Sequence, residues 1–524
     1  MNRLIGRTVV VVALVAGLAG VVQAQALNQT GVTLLRTVTT NLNGSGIGVA
    51  QPESSLSDTD PIWEVNPATV GQPVALFTYI SAAGVTNVFP NSLSAESGHA
   101  DSVGWVFYGI PDGVATNVMH VDNYDANFYV TNYVFDLTPA PGDWVVNQSF
   151  TFGPLSISDQ QGVDSAYDDY ADTFGTIFIS AACNASINLR VCAPGTAYNC
   201  ISVGAYGGDS SVGPTLDNGR CKPDITAPAV ATSFSTPQVA GAAAVLLQAA
   251  LRGDGGPDTN SAADLRTVKA LLLNGAVKPA DWTNSNSSPL DARYGAGVLN
   301  LFNAYRQLTG GRQGYVAATG VATGGPHPPA GNPGTVGALN GWDFNTNSSS
   351  AATDGVNHYY FNVTNSLHVA TFTGSATLVW NRQLGETSIN DLDLYLYNCA
   401  NSNLVACSTS RVDNVEQLWL PQLPAGRYDL QVFKNGGTNV VGDTEAYALA
   451  FGFYFQSLSL SRSGTNFNLT WPIYPDGYSI ESTASLSPAV WLPFTNATVT
   501  VTNQFNRLPL TPAAASGFFR LRSP

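Results

Sequence analysis

Short apolar runs alternate with Ala-rich helical segments between about Gly46 and Gly297. The apolar runs are rich in Val and Ile and lack strict alternation, which is typical of strands buried on both faces of a parallel sheet. The predicted strands are Ile47–Ala50, Val118–Val121, Val145–Asn147, Thr176–Ser180 and Ser202–Ala205. Pro237–Ala250 and Ser261–Ala276 are predicted helices, the first apolar on all sides and therefore buried. This pattern predicts an α/β fold, a parallel sheet with helices on both faces.

The second half of the chain has a different pattern, in which polar and apolar residues alternate and turn residues recur. Short alternating runs that end in Asn, Gly or Pro are typical of an antiparallel β-sandwich. These runs are His368–Thr373, Ala376–Trp380, Leu392–Tyr397, Glu416–Leu420 and Tyr428–Phe433. A further small β unit begins at Leu458, and a Gly- and Pro-rich linker separates the two halves.

The N-terminus carries the pattern of a bacterial export signal. Arg3 and Arg7 precede the apolar run Val9–Val22, and Ala24-Gln25-Ala26 supplies small residues for cleavage. The run is short for a membrane span, so we expect a secreted protein that is not membrane-bound after cleavage. The predicted domains are a signal peptide (1–26), an α/β domain (27–310), a linker (311–340), a β-sandwich (341–456) and a small C-terminal β domain (457–524).

Composition excludes some classes of partner. Charged residues make up 11% of the chain and hydrophobic residues 44%, so disorder driven by excess charge is not expected. The net charge is −15, from 21 basic and 36 acidic residues. So few Lys and Arg residues cannot neutralise a run of phosphates, which excludes a nucleic-acid partner. We expect a monomer.

Six cysteines become candidates for disulfides once export is assumed. Cys399 and Cys407 lie across a predicted hairpin, Asn398–Ser408, and are predicted to form one bridge. The remaining four allow three pairings that the sequence does not separate: Cys183, Cys192, Cys200 and Cys221. The chain has no CxxC motif and no His near these residues, so no metal is predicted there.

The strongest chemical motif is Ala231–Gly241 (ATSFSTPQVAG), which follows Lys222–Pro228 (KPDITAP). Ser233 lies on a turn that opens a buried helix, close to free backbone N–H groups that a developing oxyanion requires. The alternative is that Ser233 only caps a core helix. Both segments resemble the serine motif and the preceding segment of the subtilase family.

Other segments resemble subtilase motifs in the family's order, and together they cover about half the chain. They are Val145–Phe150 (VVNQSF), Ile177–Asn184 (IFISAACN), Ile201–Ala205 (ISVGA) and Tyr294–Gly297 (YGAG). The resemblance implies a serine endopeptidase that hydrolyses polypeptides through an acyl-enzyme at Ser233. It further implies that Asn184 donates its amide to the oxyanion, and that substrate is bound by Ser149, Phe150, Ala181, Ala182 and Cys183.

The general base that would activate Ser233 must be one of the five histidines in the chain. Ser97–Gly104 (SGHADSVG) resembles the family's histidine helix and points to His99, although Asp101 stands where Thr is usual. A neutral imidazole there would take the Ser233 proton and return it to the leaving amine. His120, inside a predicted strand, is the alternative.

The acidic residue that would orient the catalytic histidine is predicted to be a glutamate. Gly46–Glu53 (GIGVAQPE) resembles the strand that normally ends in the family's catalytic Asp, and its acidic position is Glu53. A glutamate can also orient an imidazole and stabilise its cation. The alternative acids are Asp58 and Asp60. The chain order acid, base, serine is that of subtilisin.

Three further positions depart from the family pattern: Ala231 and Cys183 replace glycines, and Gln238 replaces a histidine. None removes a proton-transfer group, so we expect activity. A catalytically inactive scaffold used for binding or adhesion is one alternative. A sedolisin-like acid peptidase with Glu as base is another, although that class uses Asp where Asn184 stands.

The segments Asn390–Leu396 and Leu423–Tyr428 resemble β-sandwich domains appended to bacterial subtilases. Asp391 and Asp393 alternate on one face of a strand there. Two carboxylates fall short of the roughly six to eight oxygens that Ca²⁺ requires, so no cofactor is expected. A structural Ca²⁺ remains the alternative.

Overall fold

The computed structural model describes residues 19–522, with gaps at 40, 56–60, 143, 317–324, 330–333, 351–353, 365–369, 437–440, 464–465, 496–497, 503 and 511–516. The described chain forms one large mixed α/β sheet followed by several antiparallel sheets. The predicted α/β fold followed by a β-sandwich is therefore confirmed.

The first half of the chain contains ten strands and all the described α-helices. The strands are β1 (Gly48–Glu53), β2 (Ile62–Glu64), β3 (Phe77–Ser81), β4 (Gly84–Thr86), β5 (Ala95–Glu96), β6 (His120–Asp125), β7 (Val145–Gln148), β8 (Ile177–Ala181), β9 (Ile201–Tyr206) and β10 (Ile225–Pro228). The helices are α1 (Ala19–Gln29), α2 (Val32–Val38), α3 (Gly98–Phe107), α4 (Ala126–Tyr129), α5 (Ile157–Phe174), α6 (Thr232–Leu251), α7 (Thr259–Ala263), α8 (Leu265–Gly275) and α9 (Leu301–Leu308).

Eight of these strands form one sheet in the order β10-β9-β8-β7-β1-β6-β3-β4. Neighbouring strands are parallel except for the β3–β4 pair at the edge. All six residues of β1 are buried, as expected for a central strand covered on both faces. The carboxyl ends of β1, β7 and β8 therefore lie side by side, where ligands bind in open α/β sheets.

Helix α6 is buried in this domain because its residues are small and apolar. A Cβ atom added at Gly241 would lie 2.5 Å from Cβ of Val114, so only glycine permits this approach. In the described part of the chain, α6 alone is long and apolar enough to cross a membrane, and 83% of that stretch is buried inside the protein. The predicted helix Ser261–Ala276 is divided into α7 and α8, because Asp264 caps the second helix.

The second half is all β in the residues described. Its strands are β11 (Asn340–Ser348), β12 (Val356–Val363), β13 (Thr371–Trp380), β14 (Leu392–Asn398), β15 (Leu404–Ser408), β16 (Val415–Pro424), β17 (Gly426–Lys434), β18 (Thr444–Tyr454), β19 (Ser459–Ser463), β20 (Asn466–Pro472), β21 (Ser479–Thr483), β22 (Leu492–Pro493), β23 (Thr500–Thr502), β24 (Phe505–Leu510) and β25 (Phe518–Arg522). Sheets β11-β18-β13-β16 and β12-β17-β14-β15 enclose an apolar core. The last strands form two small sheets, β19-β20-β24-β23 and β22-β21-β25.

The predicted disulfide between Cys399 and Cys407 is wrong for this structure, in which all six cysteines are free thiols. The predicted hairpin exists as β14 and β15, but its register pairs Cys407 with Tyr395. Cys399 lies four residues after Tyr395, just past the end of β14, which is about 13 Å at roughly 3.3 Å per residue. A disulfide requires Cα atoms within about 7 Å.

The described residues of the Gly- and Pro-rich segment, which the sequence predicts to be a linker, are hydrogen-bonded to the β-sandwich. The backbone N–H of Val316 donates to the carbonyl of His358, and that of Val336 donates to the carbonyl of Tyr360, both at 2.7 Å. Both acceptors lie on β12, whose other edge pairs with β17. The segment therefore covers an edge that would otherwise be exposed.

The sandwich contacts the α/β domain through a buried arginine. Arg382 follows β13, and its guanidinium donates to Asp168 at 3.0 Å, to Asp169 at 2.7 Å and to the carbonyl of Ser165 at 2.8 Å. These acceptors lie on α5, and the Arg382 side chain is 3% exposed. A buried guanidinium that satisfies several acceptors fixes the orientation of the two units.

Replacement of this arginine tests the contact. We expect Arg382→Met to lower the free energy of unfolding by about 3–5 kcal/mol, because it leaves the buried carboxylate of Asp168 without its ionic partner. Urea denaturation followed by tryptophan fluorescence measures the change. Arg520→Met is the matched control: Arg520 pairs with Glu481 but is 50% exposed, so its removal should cost at most about 1 kcal/mol. Equal effects of the two variants would contradict a specific role for Arg382.

Candidate active site

A buried carboxylate and an imidazole meet at the carboxyl end of the central strand. Glu53 is the last residue of β1, and its Oε2 lies 2.8 Å from Nδ1 of His99. The two side chains are 3% and 9% exposed. His99 lies in the first turn of α3, whose start is fixed by Ser97, because the Ser97 hydroxyl accepts from the N–H of Ala100.

This contact sets the protonation chemistry of the histidine. Burial alone would lower the pKa of His99, but the charge of Glu53 and its hydrogen bond outweigh burial and hold the pKa above the ordinary value of 6.5. A neutral His99 that donates its Nδ1–H to Glu53 presents the lone pair of Nε2 on the other side of the ring.

Two residues that the sequence analysis did not identify hold the carboxylate in place. The Gln51 side-chain amide donates to Oε1 of Glu53 and to the carbonyl of Ala100, both at 2.9 Å. The Tyr108 hydroxyl donates to Gln51 at 2.6 Å. Gln51 lies two residues before Glu53, so the alternation of side chains along a strand could have indicated that both point to the same face.

Ser233 lies at the start of α6 next to the end of β7. Its hydroxyl donates to the carbonyl of Ser149 at 3.4 Å, and the Ser149 hydroxyl donates to the carbonyl of Ser233 at 2.9 Å. The ring of Phe234, the next residue, has its centroid 6.0 Å from that of His99. The described residues include no direct hydrogen bond between Ser233 and His99. Such catalytic contacts often tighten only when substrate binds.

Asn184 is oriented by the residue before the serine. Its side-chain oxygen accepts from the Thr232 backbone N–H at 3.0 Å and from the Thr232 hydroxyl at 2.9 Å. Because both groups are donors, the acceptor must be the amide oxygen, which identifies the opposite atom as the NH₂ group. That NH₂ has no hydrogen-bond partner among the described residues, so it is available as a donor beside Ser233.

The predicted substrate-binding residues lie at the ends of two neighbouring strands. Ser149 and Phe150 follow β7, and Ala181 ends β8 before Ala182 and Cys183. These strands are paired in parallel, with Gln148 opposite Ser180. The five residues therefore lie on the same edge of the sheet as Glu53. All five are largely buried.

Cys183 adopts an unusual backbone conformation, with φ at +88°, where glycine is the favoured residue. Its thiol accepts a contact from the Thr151 hydroxyl at 3.8 Å. A hydrogen bond with the Cys192 thiol, opposed by burial, lowers the pKa of Cys183 to about 7. The replacement of a family glycine is thus tolerated at the cost of backbone strain immediately before Asn184.

The other two departures from the family pattern carry no strain. Ala231 is extended, with φ −153° and ψ 159°, a conformation open to any residue. The Gln238 side chain donates to the carbonyl of Pro228 at 2.6 Å and to that of Phe234 at 3.1 Å. Gln238 therefore joins the strand before the serine to the first turn of α6.

The alternative histidine lies elsewhere. His120 begins β6 and pairs with Gly48, five residues and about 17 Å along the strand from Glu53. Its ring contacts Asp122 at 2.8 Å and Thr78 at 3.1 Å. The alternative acids, Asp58 and Asp60, lie outside the described residues, as does His368.

Comparison with known proteins identifies the domain. Residues 139–297 match the model of the subtilase family, known as peptidase S8. The match contains Asn184 and Ser233 and covers less than a third of the chain; Glu53 and His99 lie before it.

Solved structures are also similar to part of the chain. A variant of the protease domain of PatA is 20% identical with a TM-score of 0.34, and covers 52% of this chain and 98% of its own. The prenylagaramide maturation protease PagA is 21% identical with a TM-score of 0.35, covering 54% and 99%. A protease of Pseudoalteromonas arctica PAMC 21717 is 18% identical with a TM-score of 0.34, covering 52% and 93%. The family match shows that this chain carries a serine-type peptidase domain of the subtilase kind.

Proposed function

We propose that this protein is a secreted serine endopeptidase with Ser233 as nucleophile, His99 as base and Glu53 as the orienting acid. The observation that carries the proposal is the 2.8 Å contact between the buried Glu53 carboxylate and Nδ1 of His99, beside the first turn of α6, which contains Ser233. Secretion rests on the signal-like N-terminus, most of which lies outside the described residues.

The proposed reaction begins with proton transfer from the Ser233 hydroxyl to Nε2 of His99. As the proton leaves, Oγ attacks the carbonyl carbon of the scissile peptide, and the carbonyl π electrons move onto oxygen. The imidazolium that forms is stabilised by Glu53, which is already hydrogen-bonded to Nδ1. The negative oxygen is bound by the Asn184 NH₂ group and the backbone N–H of Ser233.

The tetrahedral intermediate then collapses to an acyl-enzyme. His99 gives its proton to the leaving amine, which departs as the new N-terminus of the product peptide. A water molecule attacks the ester carbonyl while His99 removes its proton, and collapse returns the proton to Ser233. These steps use only side chains of this chain, its backbone donors and water.

We propose that substrate is an extended polypeptide bound at the ends of β7 and β8. An extended peptide binds such backbone edges by main-chain hydrogen bonds, while its side chains enter pockets between them. Ser149, Phe150, Ala181, Ala182 and Cys183 would line this site. Because Cys183 carries a side chain where the family has glycine, it would leave less space for a substrate side chain.

Substitution of the serine tests the nucleophile. We expect Ser233→Ala to reduce hydrolysis of casein by about 10⁵–10⁶-fold, because no other hydroxyl occupies its place. It should also abolish labelling by a fluorophosphonate probe. Ser235→Ala is the matched control, since the Ser235 hydroxyl donates to the carbonyl of Thr232 within the same helix and is fully buried. Undiminished hydrolysis by Ser233→Ala would reject Ser233 as the nucleophile. If the probe does not label the wild-type protein, the domain is an inactive scaffold.

The pH profile tests the Glu53–His99 pair. His99 must be neutral to accept a proton, so activity falls as pH decreases through its pKa. Because that pKa is raised, the acid limb of kcat/KM should lie above pH 6.5 in the wild type. Glu53→Gln removes the charge that raises the pKa, so the limb should move to lower pH while the rate falls by about 10³–10⁴-fold.

Asp122→Asn at the separate His120–Asp122 pair is the control for this experiment and should leave the profile unchanged. An acid limb at the same pH in Glu53→Gln would contradict the role of Glu53. Activity confined to strongly acidic pH and insensitive to substitution of His99 would indicate a sedolisin-like mechanism.

Two substitutions of Cys183 measure the strain beside the oxyanion hole. Cys183→Gly and Cys183→Ala remove the same thiol contacts, but only glycine relieves the positive φ. We expect the glycine variant to be more stable than the alanine variant by about 1 kcal/mol, measured by urea denaturation. Equal stabilities would show that the conformation carries no strain.

A further inference from the structure

Two histidines and an aspartate converge at the surface of the β-sandwich, far from the active-site residues in sequence. Asp354 precedes β12, and His358 lies on that strand. His327 comes from the described part of the Gly- and Pro-rich segment. The Asp354 Oδ2 atom lies 3.1 Å from Nε2 of His358 and 3.6 Å from Nε2 of His327. The ligand-type atoms of all three residues lie within 4.8 Å of one another.

Hydrogen bonds on the far side of each ring fix which nitrogen is free. Nδ1 of His358 lies 2.8 Å from the Asp429 carboxylate, and Nδ1 of His327 lies 2.9 Å from the carbonyl of Gly325. Both acceptors take a proton, so each neutral ring carries its N–H on Nδ1 and its lone pair on Nε2. With both rings neutral, two nitrogen lone pairs and a carboxylate oxygen face one another. Either a bound cation or a proton on Nε2 of His358 satisfies this arrangement.

The histidines are also held rigidly from outside the cluster. The Gln431 side chain accepts from the His327 backbone N–H at 3.3 Å and donates to the His327 carbonyl at 2.6 Å. The ring of Tyr360 stacks on that of His358, with centroids 5.5 Å apart. A carboxylate bound to the remote nitrogen of a ligating histidine is a common support of metal sites.

We propose that His327, His358 and Asp354 bind a divalent metal ion of the zinc class, with Asp429 supporting His358. In a tetrahedral zinc site with bonds of about 2.0–2.1 Å, neighbouring ligand atoms lie roughly 3.3 Å apart. The observed separations of 3.1 and 3.6 Å lie on either side of this value. Imidazole ligands favour zinc over calcium or magnesium, which prefer all-oxygen sites.

The open side of the cluster leaves room for a fourth ligand. His358 is 1% exposed, whereas Asp354 and His327 are 12% and 21% exposed. Water would therefore complete the tetrahedron from the solvent side. Because His327 comes from the connecting segment and the other ligands from the sandwich, the metal fastens that segment to β12 and adds to its backbone hydrogen bonds.

Zinc titration of the full-length protein tests the proposal. We expect one zinc ion per chain by calorimetry, with affinity at least about 100-fold lower in His327→Ala and in Asp354→Asn. Asp429→Asn should weaken binding by about 10–100-fold, as loss of a supporting carboxylate does. His120→Ala is the control, because His120 and Asp122 form a similar pair without a second histidine, and it should bind zinc as the wild type does. Circular dichroism of the metal-free variants checks that each is folded.

Cobalt substitution separates this site from one built on the buried thiols. Cobalt bound by nitrogen and oxygen should give visible bands of tetrahedral type without a thiolate charge-transfer band. The proposal is overturned if the wild type binds no zinc, if His327→Ala binds it equally well, or if the cobalt complex has the thiolate band. In the first case, His358 is a buried imidazolium held between Asp354 and Asp429.

Discussion

The Glu53 carboxylate is buried at the end of the central strand, and burying a charge is costly unless it is paired and hydrogen-bonded. His99 contacts one oxygen of this carboxylate, and Gln51 donates to the other. The arrangement therefore stabilises one geometry only. In it, the start of α3 lies beside the carboxyl end of β1, and the His99 imidazole lies between the Glu53 carboxylate and the first turn of α6. The proposed catalytic mechanism depends on this constraint.

The serine side of the site depends on close packing. Helix α6 passes through the centre of the domain, and its Ala and Gly residues allow it to approach α3 and the sheet closely. Its first turn is held at the end of β7 by the reciprocal bonds of Ser149 and Ser233. Asn184 is fixed in turn by Thr232. In the proposed mechanism, the oxyanion donors are thus oriented before substrate binds, which is the condition for effective electrostatic stabilisation.

The sandwich is part of the same packed structure. Trp342, Val379 and Val415 belong to the apolar cluster that fills the α/β domain, so the two halves share a core. Arg382 adds a buried polar contact on α5. The proposed metal site lies on the other sheet of the sandwich, where it ties down the connecting segment. The stability of the β-sandwich and the position of the Gly- and Pro-rich segment are therefore coupled through β12.

Local patterns in the sequence determined the α/β fold, the five buried strands, the hairpin of β14 and β15, and the residues Glu53, His99 and Ser233 as candidates. These depend on periodicity, on turn residues and on motifs contained within about ten positions, which a chain displays without its neighbours. Only the tertiary structure decided that Gln51 and Tyr108 support the carboxylate, that the strand register separates Cys399 from Cys407, and that His327 meets His358. Each of these facts depends on distances between residues brought together by strand pairing and helix packing, which no local pattern encodes.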